Sequence, residues 1–160
     1  MSDHSAVNVA YKFLQLAKED ECNLTPMQLQ KLVYIAHGWS LGLLERPLIA
    51  DTVNAWKYGP VIESVYHHFK KFRASPVIFP PELVRHYVTD AEFCSTDKDL
   101  ISSVWEAYKG ISGPRLSDLT HQSGTPWDVV WNDREGKSRF GSEIDQPTII
   151  QYYKEFFARV

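Results

Sequence analysis

Apolar residues recur at intervals of three and four along most of the chain, which predicts a mainly α-helical fold. The pattern is densest in residues 25–44, where apolar side chains fall on more than one face and indicate a central helix. Thr25 can cap this helix, Pro26 suits its first position, and Gln28 can close a capping box. We therefore expect a central helix that runs to about Leu44.

Six more helices are predicted from capping residues, turns and apolar spacing. They begin at Ser5, after the turn Tyr58-Gly59-Pro60, near Lys98 with a capping box from Thr96 and Asp99, at Ser112, at Thr125, and at Asp145. Three of them end near Lys109, Gln122 and Trp131. The remaining segments are predicted to be turns and loops.

Two of these helices have clear apolar faces. The helix after the Gly-Pro turn places Val61, Ile62, Val65, Phe69 and Phe72 on its buried side. The last helix has a strongly amphipathic pattern, formed by Ile149, Ile150, Tyr153, Phe156, Phe157 and Val160. We therefore expect the last helix to dock on the rest of the protein.

The segments between the helices predict little regular structure. Leu48 to Trp56 is mixed and β-tolerant, which indicates a turn and a short strand. Ala74 to Ser95 is broken by prolines and predicts a long irregular segment with one short element, and Asn132 to Ser142 predicts a polar loop. The fold prediction is therefore mainly α, a single compact helical domain of about six to seven helices with a short β element near residues 48–58.

Length and composition fit one globular domain spanning residues 1–160. Hydrophobic residues make up 44% of the chain and charged residues 23%, so a disordered chain is not expected. Two cysteines, Cys22 and Cys94, are too few for a disulfide scaffold. The N-terminus lacks a signal-peptide pattern, and no apolar run approaches the ~20 residues that span a bilayer. We expect a cytoplasmic protein with free thiols.

No pattern typical of catalysis or metal binding is present. The six histidines lie outside the spacings of known zinc motifs, and Gly136-Lys137-Ser138 lacks the upstream glycine of a phosphate-binding loop. An enzyme hypothesis would combine His37, His121, Cys94 and Glu63, but His37 is interpreted as a hydrogen-bonded core or boundary histidine. We therefore expect no catalytic residue, no metal site and no cofactor.

Residues 67–73 form a basic segment with interleaved aromatic side chains. Lys70, Lys71 and Arg73 could bind single-stranded nucleic acid, with aromatic rings stacking on its bases. Phe69 and Phe72, however, share an apolar helix face, which favours a buried stripe with a solvated basic side. The net charge of −3 also argues against a nucleic-acid partner.

Three passages, in order and at compatible spacing, resemble the motifs of one known family. The first is the helix Gln28 to Gly38, with Leu29, Gln30, Lys31, Leu32, Tyr34 and His37. The second is a Trp/Gly-Pro turn at Trp56, Tyr58, Gly59 and Pro60, followed by Tyr66. The third is a Leu-Thr-His segment at Leu119, Thr120 and His121, with Pro126 and Trp127 after it. The passages resemble the Panacea antitoxin domain family, also described as SocA-like or phage-associated GepA-like, over nearly the whole chain.

The resemblance implies a bacterial or phage cytosolic protein that neutralises a cognate protein toxin by direct binding. Members of the family are paired with unrelated toxins. One branch acts as a proteolytic adaptor, so a protease or its unfoldase subunit is an alternative partner. A membrane is not an implied partner.

The motif residues have two alternative roles, as scaffold or as interface. Gly59 permits an unusual φ, and Pro60 is expected to preset the next helix. The favoured interpretation is that Trp56 and Tyr58 fix this turn on the core, and the alternative is that the turn presents a partner-binding surface. Thr120, His121 and Trp127 have the same two alternatives, as a polar network joining two short helices or as a site.

Overall fold

The computed structural model describes residues 3–89, 92–139 and 141–159. Within these residues the chain forms eight α-helices and one two-stranded antiparallel sheet. The helices are α1 Ala6–Glu19, α2 Pro26–Trp39, α3 Glu63–Phe69, α4 Pro81–Tyr87, α5 Ser95–Tyr108, α6 Gly113–Thr120, α7 Pro126–Asp128 and α8 Gln146–Ala158, and the strands are β1 Asn54–Trp56 and β2 Gly59–Val61. The prediction of a mainly α fold with a short β element is confirmed.

Helix α2 is the centre of the fold, as its apolar pattern predicted. Its N-terminus has the capping box, in which Thr25 Oγ1 accepts from the Gln28 amide and the Gln28 side chain accepts from the Thr25 amide at 2.9 Å. Every residue from Leu29 to Gly38 is buried, because α1, α3, α5, α6 and α8 surround the helix. The helical run reaches Leu44 as expected, but Ser40–Leu44 is a wider π-helical turn.

Helix α8 docks against the end of α2 through two glycines, Gly38 and Gly42. A Cβ atom added to Gly38 would lie 2.7 Å from two ring atoms of Tyr153, and one on Gly42 would lie 2.6 Å from the Tyr153 Cβ. Both glycines therefore make room for the same buried residue, Gly38 for its ring and Gly42 for its Cβ and backbone. The predicted docking of the last helix is confirmed, while Val160 lies outside the described residues.

The Gly-Pro turn forms a hairpin, and this corrects the predicted helix start. Gly59 has φ +122°, so the chain reverses there and Pro60 continues into strand β2. Strand β2 pairs with β1 in the register Asn54 to Val61. Helix α3 begins only at Glu63, so Val61 and Ile62 are buried as expected but precede the helix.

Helix α5 begins earlier than predicted. Its N-cap is Cys94, and the proposed capping box of Thr96 and Asp99 does not form the helix start. The reason is tertiary, since Asp97 in the first turn is buried against two partners. Its carboxylate accepts from Arg46 Nη2 at 2.7 Å and lies 2.9 Å from His4 Nε2.

The other helix boundaries differ by a few residues from the predictions. Helix α4 is the short element in the irregular segment, and α6 ends at Thr120 rather than Gln122. The short helix α7 continues as a π-helical turn, Val129–Asp133. The predicted polar loop contains a 3₁₀ turn at Gly136–Ser138. Among the described residues, no helix combines the length and apolar character that a membrane span requires.

Candidate functional site

The three sequence motifs meet at the β1–β2 hairpin. Helix α2 lies beneath it, and α6 and α7 lie beside it. Side chains from these helices donate hydrogen bonds to the backbone carbonyls of residues 56, 58 and 60 in the hairpin and of residue 62 just after it. The motifs therefore build one local structure from segments that are distant in sequence.

Lys31 holds the carbonyl group of Pro60. Its Nζ atom donates to the Pro60 oxygen at 2.8 Å, and the side chain is only 3% exposed. Burial lowers the pKa of the Lys31 amine from 10.5 to about 7, because the charged form loses its hydration. Gly59 is required beside it, since a Cβ at that position would lie 3.0 Å from Nζ.

Gln30 holds Ile62, two residues after Pro60, by two hydrogen bonds. Its side-chain oxygen accepts from the Ile62 amide at 2.8 Å, and its side-chain amide donates to the Ile62 carbonyl at 3.2 Å. The side chain thus replaces the strand partner that the backbone of Ile62 would otherwise need. This pairing ends β2 and begins α3 at a fixed position.

Helices α6 and α7 hold the first half of the hairpin. Ser117 Oγ donates to the Tyr58 carbonyl at 2.6 Å, and Trp127 Nε1 donates to the Trp56 carbonyl. Ser117 was not among the predicted site residues. It lies two residues before the Leu-Thr-His segment, on the buried side of an amphipathic helix, and this position is the sequence signal that could have identified it.

Thr120 and His121 act within their own helix end. Thr120 Oγ1 donates to the carbonyls of Leu116 and Ser117, both at 3.0 Å. His121 Nδ1 donates to the Ser117 carbonyl, and its ring packs edge-on against Trp127 with centroids 5.2 Å apart. The hydrogen bonds of these two residues therefore stay within α6, and the ring contact between His121 and Trp127 is what joins the two short helices.

The other motif residues of α2 face the core. Leu29, Leu32 and Tyr34 are almost completely buried. His37 is 1% exposed, and its Nδ1 accepts from the Leu48 amide at 3.2 Å, so the prediction of a hydrogen-bonded core histidine is confirmed. Burial lowers the pKa of His37 to about 4, which keeps the ring neutral.

The outer side of the hairpin is open and rich in aromatic surface. Trp56 is half-buried and packs edge-on against Tyr66, with ring centroids 5.0 Å apart. Tyr58 is 65% exposed and Tyr66 42% exposed, so the interpretation that the Tyr58 side chain fixes the turn on the core is wrong. Only its carbonyl group does so, through Ser117.

A pocket of about 420 Å³ lies between the hairpin, the start of α2 and the outer face of α3. Its walls are mainly apolar, and its cationic side chains come from α2, the hairpin turn and the end of α3. The lining residues are Pro26, Met27, Gln30, Lys31, Trp56, Lys57, Tyr58, Val61, Val65, Tyr66, Lys70 and Arg73. Four lysine or arginine side chains and no carboxylate line it. Sequence reasoning did not identify this pocket, because Met27, Lys57 and Val61 carry no signal of their own.

The four residues of the enzyme hypothesis have separate surroundings. His37 binds the Leu48 amide, Glu63 accepts from Asn54 at 2.9 Å, and Cys94 is exposed near Arg46. Across residues 3–89, 92–139 and 141–159, no group of three or more His, Cys, Asp or Glu side chains is placed to hold a metal ion.

The basic segment at residues 67–73 divides as its apolar pattern indicated. Phe69 is fully buried and Phe72 half-buried, while Lys70, Lys71 and Arg73 are exposed. The aromatic rings are therefore packed against the core and are not free to stack on bases. Lys70 and Arg73 instead form part of the pocket rim.

Comparison with known proteins gives two matches. The family model described as "Antitoxin SocA-like, Panacea domain" matches residues 29–128. Antitoxin SocA of Caulobacter vibrioides (strain NA1000 / CB15N) is 31% identical over 130 residues, which cover 78% of this chain and 69% of the relative. No solved structure matches the chain. The residues matched by the family model include the hairpin and all the side chains that hold it.

Proposed function

This chain belongs to the SocA-like Panacea antitoxin family, and we propose that it is the antitoxin of a toxin–antitoxin pair that neutralises a protein toxin by binding it directly. The observation that carries the proposal is the similarity to Antitoxin SocA over 78% of the chain. The geometry supports it, because a rigid hairpin presents exposed aromatic side chains beside a pocket. Aromatic side chains are enriched in protein interfaces relative to the rest of the surface.

The proposed role involves binding without catalysis. The side chains of the enzyme hypothesis have separate partners. Lys31, a buried amine outside that hypothesis, is engaged with a backbone carbonyl. The motif residues mostly hold the hairpin backbone, so we propose that they form the scaffold of the interface. The exposed side chains around them then supply the contacts with the toxin.

The test is growth rescue combined with isolation of the complex. The product of the neighbouring gene is expressed alone and together with this chain, and the pair is purified through a tag on one partner. We expect the neighbour alone to stop growth, and co-expression to restore growth with a stable complex in the purified fraction. A complex of this kind should bury about 1,600 Å² or more in total.

Two other results would change the proposal. Rescue without a complex, together with a shortened half-life of the neighbour, would replace direct neutralisation by delivery to a protease. A neighbour that stays toxic in the presence of this chain would reject the antitoxin role for this pair.

A further inference from the structure

We propose that the pocket beside the hairpin is the anchor site for the toxin, and that it receives an acidic segment of the toxin carrying an apolar side chain. The inference rests on the proposed function and adds the place and the chemistry of binding. An anchor of this kind would occupy the pocket within a larger interface, since a few buried residues usually dominate binding energy.

The apolar part of the proposal rests on exposed hydrophobic surface. Within the described part of the chain five large hydrophobic side chains are exposed, and three of them, Met27, Tyr58 and Tyr66, line this pocket. Val61 and Val65 form its inner wall. A pocket of about 420 Å³ with such walls is large enough for one or two apolar side chains of a partner.

The acidic part of the proposal rests on charge. Lys57, Lys70 and Arg73 are exposed at the rim, and Lys31 lies on the buried side. The chain as a whole has a net charge of −3, so the sign of this cationic patch is opposite to that of the net charge. The nearest carboxylate of α3, Glu63, accepts a hydrogen bond from Asn54 and does not line the pocket. Carboxylates of a partner would therefore find complementary charges around the anchor.

Lys31 adds a buried amine to the apolar walls of the pocket. An ammonium group carries three donors, and the described contacts of Lys31 engage one of them with the Pro60 carbonyl. The group is almost fully buried yet borders the pocket. A carboxylate entering the pocket would supply a charged partner, which the described contacts of this amine do not include.

An acidic protein segment fits the site better than a nucleic acid. Stacking on successive bases would need exposed rings spaced along a cationic groove, whereas the exposed rings Tyr58 and Tyr66 line a single pocket. The two phenylalanines of the basic segment pack inward. The cations surround one concave apolar pocket rather than a track. A carboxylate-flanked apolar side chain matches that arrangement.

The first experiment reverses the rim charges and measures binding of the neighbouring gene's product. The pocket variant carries Lys57→Glu, Lys70→Glu and Arg73→Glu. A control variant with the same net charge carries Lys18→Glu, Arg85→Glu and Lys137→Glu, at exposed positions outside the pocket.

We expect the pocket variant to bind about 10- to 100-fold more weakly than the wild type, and the control to stay within about threefold. Equal losses in the two variants would overturn the proposal, because they would reflect net charge alone. Thermal melting of both variants checks that the fold is kept.

A second variant, Lys31→Met, tests the buried amine without opening the pocket. We expect about tenfold weaker binding from a protein that is at least as stable as the wild type. Unchanged binding in both this variant and the rim variant would place the toxin elsewhere on the surface. Because wild-type binding is measured in the same assay, failure of the pocket is distinct from failure of the antitoxin role.

A photo-cross-link identifies the chemistry of the segment. Tyr58 is replaced by p-benzoylphenylalanine, and Leu43, an exposed apolar residue outside the pocket, carries the same group as a control. We expect the cross-linker at position 58, and not the one at position 43, to capture a toxin peptide in which carboxylates flank an apolar residue. A captured peptide that is basic or lacks carboxylates would overturn the proposal. Binding of a single-stranded oligonucleotide that is lost in the rim variant would also overturn it, in favour of a nucleic-acid ligand.

Discussion

Replacing Lys31 by Met should make the protein more stable at pH 7. Met keeps the unbranched apolar stem but carries no amine. Lys31 is buried, and burial lowers its pKa from 10.5 to about 7. That fall corresponds to a destabilisation of the native state by about 4–5 kcal/mol at neutral pH, since each unit of pKa shift is worth about 1.4 kcal/mol.

The lost hydrogen bond offsets part of this gain. The Pro60 carbonyl oxygen accepts from Lys31 Nζ at 2.8 Å, and Met leaves it without that donor. A buried polar group that loses its partner costs about 1–3 kcal/mol. The net expectation is that Lys31→Met raises the free energy of unfolding by about 1–4 kcal/mol at pH 7.

The gain should depend on pH in a defined direction. Below about pH 7 the amine is protonated in the native and the unfolded protein, so the cost of burying the charge is fully present. Between about pH 7 and 10.5 the unfolded state binds more protons than the native state, so wild-type stability rises toward that of the variant. Urea unfolding followed by circular dichroism at several pH values from about 6 to 9 measures this difference.

The control is Lys18→Met, at an exposed position, where we expect no such pH dependence. One result would contradict a buried charge at Lys31. If Lys31→Met were less stable than the wild type by a constant amount at every pH, the amine would not be a buried charge, and its only role would be the hydrogen bond.

Three further predictions follow from the packing. Gly38→Ala should lower the free energy of unfolding by about 1–3 kcal/mol, because its methyl group overlaps the Tyr153 ring. In a Tyr153→Ala background the same substitution should be neutral or stabilising by about 1 kcal/mol, and urea unfolding of the four proteins tests this. In the wild type, the free energy of unfolding should fall by about 3 kcal/mol as pH falls from about 6.5 toward 4, because only the unfolded state takes up a proton on His37 in that range. His37→Gln should remove this fall, and the slope of unfolding free energy against pH measures it. Gly59→Ala should lower the free energy of unfolding by about 1–3 kcal/mol, and by more than Gly110→Ala does, since both glycines have positive φ but only Gly59 lies against a buried amine. Equal losses of stability in denaturant unfolding would contradict this contact.

The central helix shows how far local sequence can reach. Thr25 and Gln28 form the capping box that their spacing predicted, and the unbroken burial from Leu29 to Gly38 follows from apolar residues on several faces of α2. Asp145 likewise caps α8, where its side chain accepts from the Thr148 amide. These features depend on neighbours three or four residues apart, so the sequence alone is sufficient to predict them.

The hairpin and the start of α5 show where local reading failed. Pro60 suits a helix start, but pairing of Asn54 with Val61 places it in a strand. Thr96 and Asp99 fit a capping box, but burial of Asp97 against Arg46 belongs to a helix that begins earlier. In the first case a strand partner seven positions away, and in the second a partner 51 positions away, decided between two locally acceptable structures. That residues 1–160 form a single domain stays a prediction.

The candidate site was predictable in part. The motifs identified Lys31, Trp56 and Trp127 as residues that matter, but not what each one does. The bonds that hold the hairpin join residues 29, 32, 59 and 71 positions apart, and such pairings have no periodic signal in a sequence. The pocket and its cationic rim exist only once those bonds have placed the hairpin over α2.

Periodicity, caps and motifs are carried by neighbouring residues, so they were sufficient to predict the helical class, the central helix, the core position of His37 and the family resemblance. Folding was needed to desolvate Lys31, to leave Tyr58 exposed, and to gather three exposed cationic side chains around one apolar pocket. Burial and charge complementarity depend on which atoms surround a group, and those atoms come from segments that only folding brings together.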